Sequence, residues 1–295
     1  MVDCPPVSPR VVTVRVPATS ANLGPGFDSL GLALALFARV TLREAPGPGP
    51  DAVGAMMLSA ARAAYRAAGR TPPDLDAAWE GEIPLARGLG ASAAARAGAA
   101  VAANALMGGP LSGDALLDLV AGLEGHADNA APALFGGFQI VVREGGRYRR
   151  LAAPVAPGLR VALFVPELEM PTDESRRALP GELPREDAVH NIGRAALLVA
   201  ALGAGEWEAL GVATQDRLHQ PARARLFPAL PAIIEAARAA GAHGAYLSGG
   251  GSTVAAFVTA DDARVVQAMA AAAAAEGVAG RTIVVGLSPD GAAVA

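Results

Sequence analysis

The segment Pro84-Leu-Ala-Arg-Gly-Leu-Gly-Ala-Ser-Ala-Ala94 constrains this chain more than any other. Gly88 and Gly90 free the backbone to curl, and the small-residue run Ala91 to Leu106 reads as a helix stopped at Gly108-Gly109-Pro110. A turn that enters a helix near Ser92 aims several amide N–H groups and the positive end of the helix dipole at one spot. That spot suits a phosphate group. An ordinary glycine turn ahead of a helix has the same local pattern, so Gly-x-Gly alone does not decide. A Walker loop is excluded, because its lysine is missing. A dinucleotide fingerprint is excluded too, because no third glycine with a ribose carboxylate follows.

The missing lysine is general. All 24 basic residues are Arg, which removes Schiff-base and pyridoxal-phosphate chemistry. With 52% hydrophobic and 18% charged residues over 295 positions, the chain can bury one large or two ordinary domains and is not of disordered composition. A net charge of -4 argues against a general nucleic-acid surface. Cys4 stands alone, so no intrachain disulfide or cysteine metal cluster is expected and a reducing cytoplasm fits. Met1 to Arg10 lacks an apolar h-region, so no secretory signal is expected. The uncharged run Ala239 to Ala260 is long enough to span a bilayer, but His243, Ser248, Ser252, Thr253 and its glycines read as strand and loop. The expectation is a soluble cytoplasmic protein with no membrane partner.

Strands are expected at 11–16, 34–42, 79–84, 159–166, 246–247, 254–258 and 282–285, with a hairpin from 137–143 and 148–151 around Glu144-Gly145-Gly146. Helices are expected at 52–68, 91–106, 112–124, 188–202, 227–240 and 261–275, the last capped by Asp261 and Asp262. Pro154 to Gly158 is the linker. The fold class is therefore α+β in two domains, 1–155 and 156–295.

Two further motifs flank the glycine loop in order. Pro17-Ala-Thr-Ser-Ala-Asn-Leu-Gly-Pro-Gly-Phe-Asp-Ser-Leu-Gly31 precedes it, and Leu247-Ser-Gly-Gly-Gly-Ser-Thr-Val-Ala-Ala256 follows. Together the three resemble the motifs of the GHMP small-molecule kinases. Asn22-Leu-Gly-Pro-Gly-Phe-Asp28, Glu124-Gly-His-Ala-Asp-Asn129, Thr172-Asp-Glu-Ser-Arg176 and Asp216-Arg-Leu-His-Gln-Pro-Ala-Arg223 resemble the homoserine-phosphorylating branch of that family. The resemblance implies a ribosomal-protein-S5-like N-terminal domain with a left-handed β-α-β crossover and a ferredoxin-like C-terminal domain, with nucleotide and substrate at their junction. It also implies ATP as phosphoryl donor, L-homoserine as acceptor, a role in threonine formation, and a homodimer.

Residue by residue, the resemblance places ATP on Pro84, Arg87, Gly88, Leu89, Gly90, Ala91, Ser92, Ala93 and Ala94. Glu124 and Ser92 match the positions of Mg²⁺ ligands, and phosphoryl transfer needs little more than such an ion and good positioning. Their bland readings are a helix-end acid and an N-cap. A zwitterionic substrate calls for arginine forks, matched by Arg176 and Arg223, and for a carboxylate, matched by Asp28. Asn22, His126 and Thr172 would line the same pocket, with His126 a hydrogen-bonding group and not a base. Asn129 stands where other GHMP kinases place a basic aspartate. An amide cannot accept the proton, so Asn129 would only orient the hydroxyl. Three positions depart from the family pattern. Ala91 replaces a loop serine, Ser252 stands where proline is common, and Met56 or Met57 replaces an asparagine associated with the adenine base, which leaves purine selectivity open. A kinase for another small alcohol, or a non-catalytic nucleotide-binding protein on the same fold, would carry the same motifs.

Overall fold

The structure, a computed structural model, describes residues 10–260 and 263–295. The chain first runs through β1 (Val11–Ala21), β2 (Leu30–Arg43), α1 (Ala52–Ala67), β3 (Asp76–Gly81), α2 (Ala91–Leu106), α3 (Gly113–Glu124), α4 (Ala130–Phe135), β4 (Phe138–Glu144) and β5 (Arg147–Ala153). It continues through β6 (Arg160–Pro166), α5 (Thr172–Arg177), α6 (Arg185–Ala204), α7 (Leu210–Ala213), α8 (Gln220–Arg223) and α9 (Leu230–Ala239). The last elements are β7 (Gly244–Leu247), β8 (Val254–Val258), α10 (Ala263–Ala275), β9 (Gly280–Gly286) and β10 (Ala293–Val294). The expected cap of the last long helix by Asp261 and Asp262 lies outside the described residues.

Among the described residues the architecture is α+β with two sheets, and every strand pairing is antiparallel. The first sheet has the order β10-β1-β2-β4-β5, with β3 also beside β2. Since β1 occupies one edge of β2, β3 and β4 share the other edge, at residues 38–43 and 30–32 of β2. Pro17 has no N–H to donate, and the register of β1 slips between Pro17 and Ala18. The second sheet has the order β7-β8-β6-β9. With helices after its first and third strands, that is the β-α-β-β-α-β arrangement of ferredoxin-like folds.

Helix α2 shows why its sequence is so rich in alanine. It lies against β1, β2, α1, α3 and α4, and eleven of its residues are buried. Gly98 sits on Val40, where an added Cβ would come within 2.6 Å of a valine methyl. Small side chains let all these neighbours approach one rod, at the cost of little side-chain entropy. One core cluster joins the two sheets, with Val14 and Val40 in the same cluster as Val161, Leu163, Phe257 and Val285. A second cluster, including Phe164, Phe227, Ile233, Val265 and Met269, fills the space between the second sheet and α9 and α10. Residues 239–260 form the end of α9, β7, a turn and β8, and no described helix is long and apolar enough to cross a membrane.

The sequence places the long elements closely, and its differences from the structure have local reasons. The strand expected at 34–42 starts at Leu30, because residues 30–34 are buried on both faces and show no alternation. The helix expected at 188–202 begins at Arg185, behind Pro184 at its N-cap. Short α4, α5, α7 and α8 escape a periodicity reading, since each spans six residues or fewer.

Candidate active site

The glycine loop enters α2 through left-handed backbone at Ala86 (φ 53°), Gly88 (φ 75°) and Gly90 (φ 67°). A Cβ at Gly88 would fall on the Ser248 carbonyl oxygen, and one at Gly90 on the Thr19 hydroxyl. Both positions therefore need glycine. The N-terminus of α1 is capped by Asp51 and that of α3 by Ser112, whereas α2 starts at Ala91 with no side-chain cap. Its first amides are left for a ligand.

The loop is braced from behind. Ser248 Oγ donates to the Gly88 carbonyl at 2.6 Å, and the Thr19 N–H donates to the Leu89 carbonyl at 3.1 Å. Arg87 spends its fork on structure: Nε donates to the Pro166 carbonyl (2.9 Å), Nη2 to that of Glu167 (2.8 Å) and Nη1 to that of Leu85 (2.7 Å). Its side chain ties the loop to the segment after β6 and has little left for a phosphate. Arg87, Gly88, Gly90, Ala91 and Ser92 line a cleft with a cavity volume of about 260 Å³. Pro84, Leu89, Ala93 and Ala94 stand outside that lining, the last three fully covered.

In the middle of the cleft, Ser92 Oγ donates to Glu124 Oε2 at 2.8 Å. Arg96, one turn further along α2, pairs with Oε1 of the same carboxylate. Glu124 is the last residue of α3, where Gly125 turns the chain away at φ 84°. A hydroxyl beside a carboxylate oxygen is a hard-oxygen pair of the kind Mg²⁺ takes while keeping waters and phosphate oxygens.

Asn22, Asp28, His126, Asn129, Thr172, Arg176 and Arg223 all line the same cleft. Four of these residues, Asn22, Asp28, Arg176 and Arg223, already make hydrogen bonds within the protein. Asn22 uses both ends of its amide, donating to the Gly249 carbonyl at 2.9 Å and accepting from the Asp28 N–H at 3.0 Å. Arg176 holds Asp28 bidentately at 2.9 and 2.6 Å, and this bond raises the guanidinium's already high pKa against the opposing effect of burial. Arg223 is 2% exposed and gives Nη1 to His219 and to the Gly249 carbonyl. Burial, then the nearby Arg176 charge, push its pKa down to about 10. The loop carrying Asn22, Leu23 and Asp28 has positive φ at all three, strain that recurs where backbone is shaped for binding.

Burial opposes charge on His126, but the Asp128 carboxylate 2.6 Å from Nδ1 outweighs it and raises the pKa above the usual histidine value. Asn129 accepts the Thr19 hydroxyl on Oδ1 at 2.7 Å, which turns its NH₂ to the other side.

The sequence reading left several lining or supporting residues without a role: Asp128, Thr19, Arg96, His219 and Phe27. Asp128 and His219 sit inside motifs already singled out, two residues after His126 and four before Arg223, so spacing could have marked them. Phe27 places its ring centroid 5.5 Å from the guanidinium carbon of Arg176, of Arg223 and from the His219 ring centroid. At the opposite end, Ala52, Val53, Met56 and Leu85 form an apolar wall. Met56 is the methionine on the cleft, and Met57 is core.

Comparisons with known proteins point to one family. Residues 55–137 match the GHMP kinases N terminal domain and residues 198–276 the GHMP kinases C terminal family. The chain is 44% identical over 278 residues to a homoserine kinase of Moorella thermoacetica, covering 90% of this chain and 93% of the relative. It is 47% identical over 263 residues to that of Deinococcus radiodurans, covering 84% of each. Among solved structures, a homoserine kinase from Cytophaga hutchinsonii superposes with a TM-score of 0.86 at 28% identity, over 97% of both chains. A mevalonate kinase shares the fold alone, with a TM-score of 0.68 at 15% identity.

Proposed function

The chain belongs to the homoserine kinases of the GHMP kinase family, and on that premise we propose how its own residues transfer phosphate from ATP to the hydroxyl of L-homoserine. The product is O-phospho-L-homoserine, in threonine biosynthesis. The observation that carries the reading is one cleft with an uncapped helix N-terminus in its wall and two arginines and a carboxylate beside it. The first suits the triphosphate and the second an amino acid.

The amides at the start of α2 receive the phosphates of ATP. Ser92 and Glu124 would hold Mg²⁺, which neutralises charge on the transferring phosphoryl group when bound. Arg176 and Arg223 take the homoserine carboxylate, and Asp28 takes its ammonium. Asn22 and Thr172 shape the pocket, and His126, oriented by its 2.6 Å contact with Asp128, adds a hydrogen bond at its side. Asn129, fixed by Thr19, steers the hydroxyl toward the γ-phosphorus. The hydroxyl oxygen forms the new P–O bond as the bond to ADP breaks. The proton passes to a phosphate oxygen or water, because a carboxamide cannot take it. Division of the chain at residue 155, a cytoplasmic location and a homodimer belong to the same reading.

A coupled ADP-release assay across homoserine, mevalonate, galactose and shikimate tests it. Turnover confined to homoserine is expected. Tight ATP binding with turnover of none of the four would overturn the proposal. A monomer in light scattering at micromolar concentration would remove the dimer.

A further inference from the structure

We infer that His219 is a positioning residue that sets one edge of Arg223 toward the substrate carboxylate, an inference that rests on the homoserine reading above. A guanidinium can only donate hydrogen bonds. The 2.9 Å bond from Arg223 Nη1 to His219 Nδ1 therefore requires Nδ1 to be the unprotonated acceptor. The ring proton then sits on Nε2, which donates to the Gly24 carbonyl at 2.7 Å. Both ring nitrogens are committed, in a fully buried imidazole against Phe27.

The consequence lies on the other side of the guanidinium. Nη1 is used by His219 and by the Gly249 carbonyl, also at 2.9 Å. Nε and Nη2 make up the remaining side of the fork, and Nε is buried with no hydrogen-bond partner among the described residues. Buried donors are seldom left unmet. An orphan on a buried cation in the wall of a cleft fits a bidentate anion, here a carboxylate. His219 thus occupies the end of Arg223 that the substrate does not need and holds the fork against rotation.

The ring does this only while neutral, because a proton on Nδ1 would face the Arg223 charge. Asp216 is the nearest acid, its Oδ2 3.7 Å from Nε2, with Asp28 acting from further away. Asp216 is otherwise engaged, accepting the N–H groups of Leu218, His219 and Gln220 and the Asn191 amide. It shapes the start of α8 and leaves the imidazole to Arg223.

The test is a double-mutant cycle on the full chain, read by steady-state kinetics with each substrate varied and by calorimetric titration with homoserine. His219→Leu should raise homoserine KM about tenfold, as expected for losing the alignment of a charge-assisted contact, with ATP KM little changed. In an Arg223→Ala background the same substitution should add nothing. His219→Asn, which returns an acceptor near the Nδ1 position, should recover most of the loss, and His219→Gln, which reaches the Nε2 position, should not. Should His219→Leu fail to fold, the comparison of Asn with Gln carries the test. Additive losses, an equal rise in ATP KM, or rescue by Gln instead of Asn would overturn the assignment and place His219 in support of the Gly24 loop. Calorimetry reads the cycle without turnover. A wild type that binds homoserine without phosphorylating it therefore overturns the reaction and spares the His219 assignment, and one that binds none overturns both.

Discussion

Arg176 and Asp28, 148 positions apart in the chain, hold each other through two hydrogen bonds of 2.9 and 2.6 Å. Each had been expected to meet one end of a zwitterion, and in the free protein they meet each other. Their side chains are 34% and 36% exposed, so the pair is worth about 0–1 kcal/mol. A charge-assisted bond to a substrate carboxylate is worth about 1.5–3 kcal/mol. On the proposed placement, homoserine, whose ammonium and carboxylate supply the same two charges, would exchange for this pair.

The two arginines should behave differently when replaced. Arg176→Ala should raise homoserine KM about tenfold with ATP KM nearly unchanged, and Arg176→Lys should recover part of it. Arg223→Lys should recover little, because an ammonium cannot reach His219, the Gly249 carbonyl and a carboxylate together. Steady-state kinetics with each substrate varied in turn decides. Unchanged homoserine KM in both variants would make them ordinary structural arginines, and loss of ATP affinity alone would place them on the phosphates.

In the glycine loop, Gly90→Val should abolish turnover for two reasons. The new side chain blocks approach of the phosphates, and its Cβ falls on the Thr19 hydroxyl and lies 3.0 Å from Asn129 Oδ1. Ser92→Ala should instead lower kcat by about tenfold or more while ATP affinity persists, since the α2 amides survive and the proposed Mg²⁺ ligand is lost. Nucleotide titration by fluorescence alongside kcat separates the two. An unchanged kcat in Ser92→Ala would sink the metal role.

The apolar wall at Met56, where the family resemblance places the adenine base, should read a nucleotide loosely. Ala52, Val53, Met56 and Leu85 offer no side-chain hydrogen bond, and the carbonyls of Leu85 and Ala86 are taken by Arg87 and by the Met170 N–H. Apolar pockets discriminate by about 10–200-fold at most, against about 10⁴ or more for hydrogen-bonded ones. GTP should therefore be used within about a hundredfold of ATP in kcat/KM. A preference near 10⁴ would show a polar readout the cleft walls do not offer.

Stability should fall in mild acid. Burial, above all, pushes the His219 pKa down to about 4, below its ordinary value near 6.5. The unfolded chain binds the proton more readily between those values, so this contribution is complete above about pH 6.5 and is lost as pH falls toward 4. His126 has the opposite sign: its raised pKa favours the fold at low pH and is lost as pH rises through it. Urea unfolding from pH 4.5 to 7.5 should show stability rising with pH, with a flatter slope in His219→Asn. Equal slopes in the two proteins would contradict the shift.

Much of this protein was legible from residues alone, for reasons of short range. The α2 helix from Ala91 to Leu106, the glycine turn before it and the hairpin at 137–151 follow from local propensity and turn chemistry, and the structure has them there. Motif order brought Asn22, Glu124, Asn129, Arg176 and Arg223 to one site without any geometry. What residues alone could not decide was what each side chain does with its hydrogen bonds, because partners lie up to more than two hundred positions apart, as Asn22 and Gly249 do. Arg87 looked like a phosphate ligand and is a brace, and Asp28 and Arg176 looked like separate contacts and are a pair. Met56 and Met57 are chemically equal, and only the packing of α1 puts one on the cleft and the other in the core. Sequence determines which groups are present and which turn or helix carries them. Tertiary structure alone decides which donor meets which acceptor, since a guanidinium or carboxamide takes whatever partner the fold brings within about 3 Å.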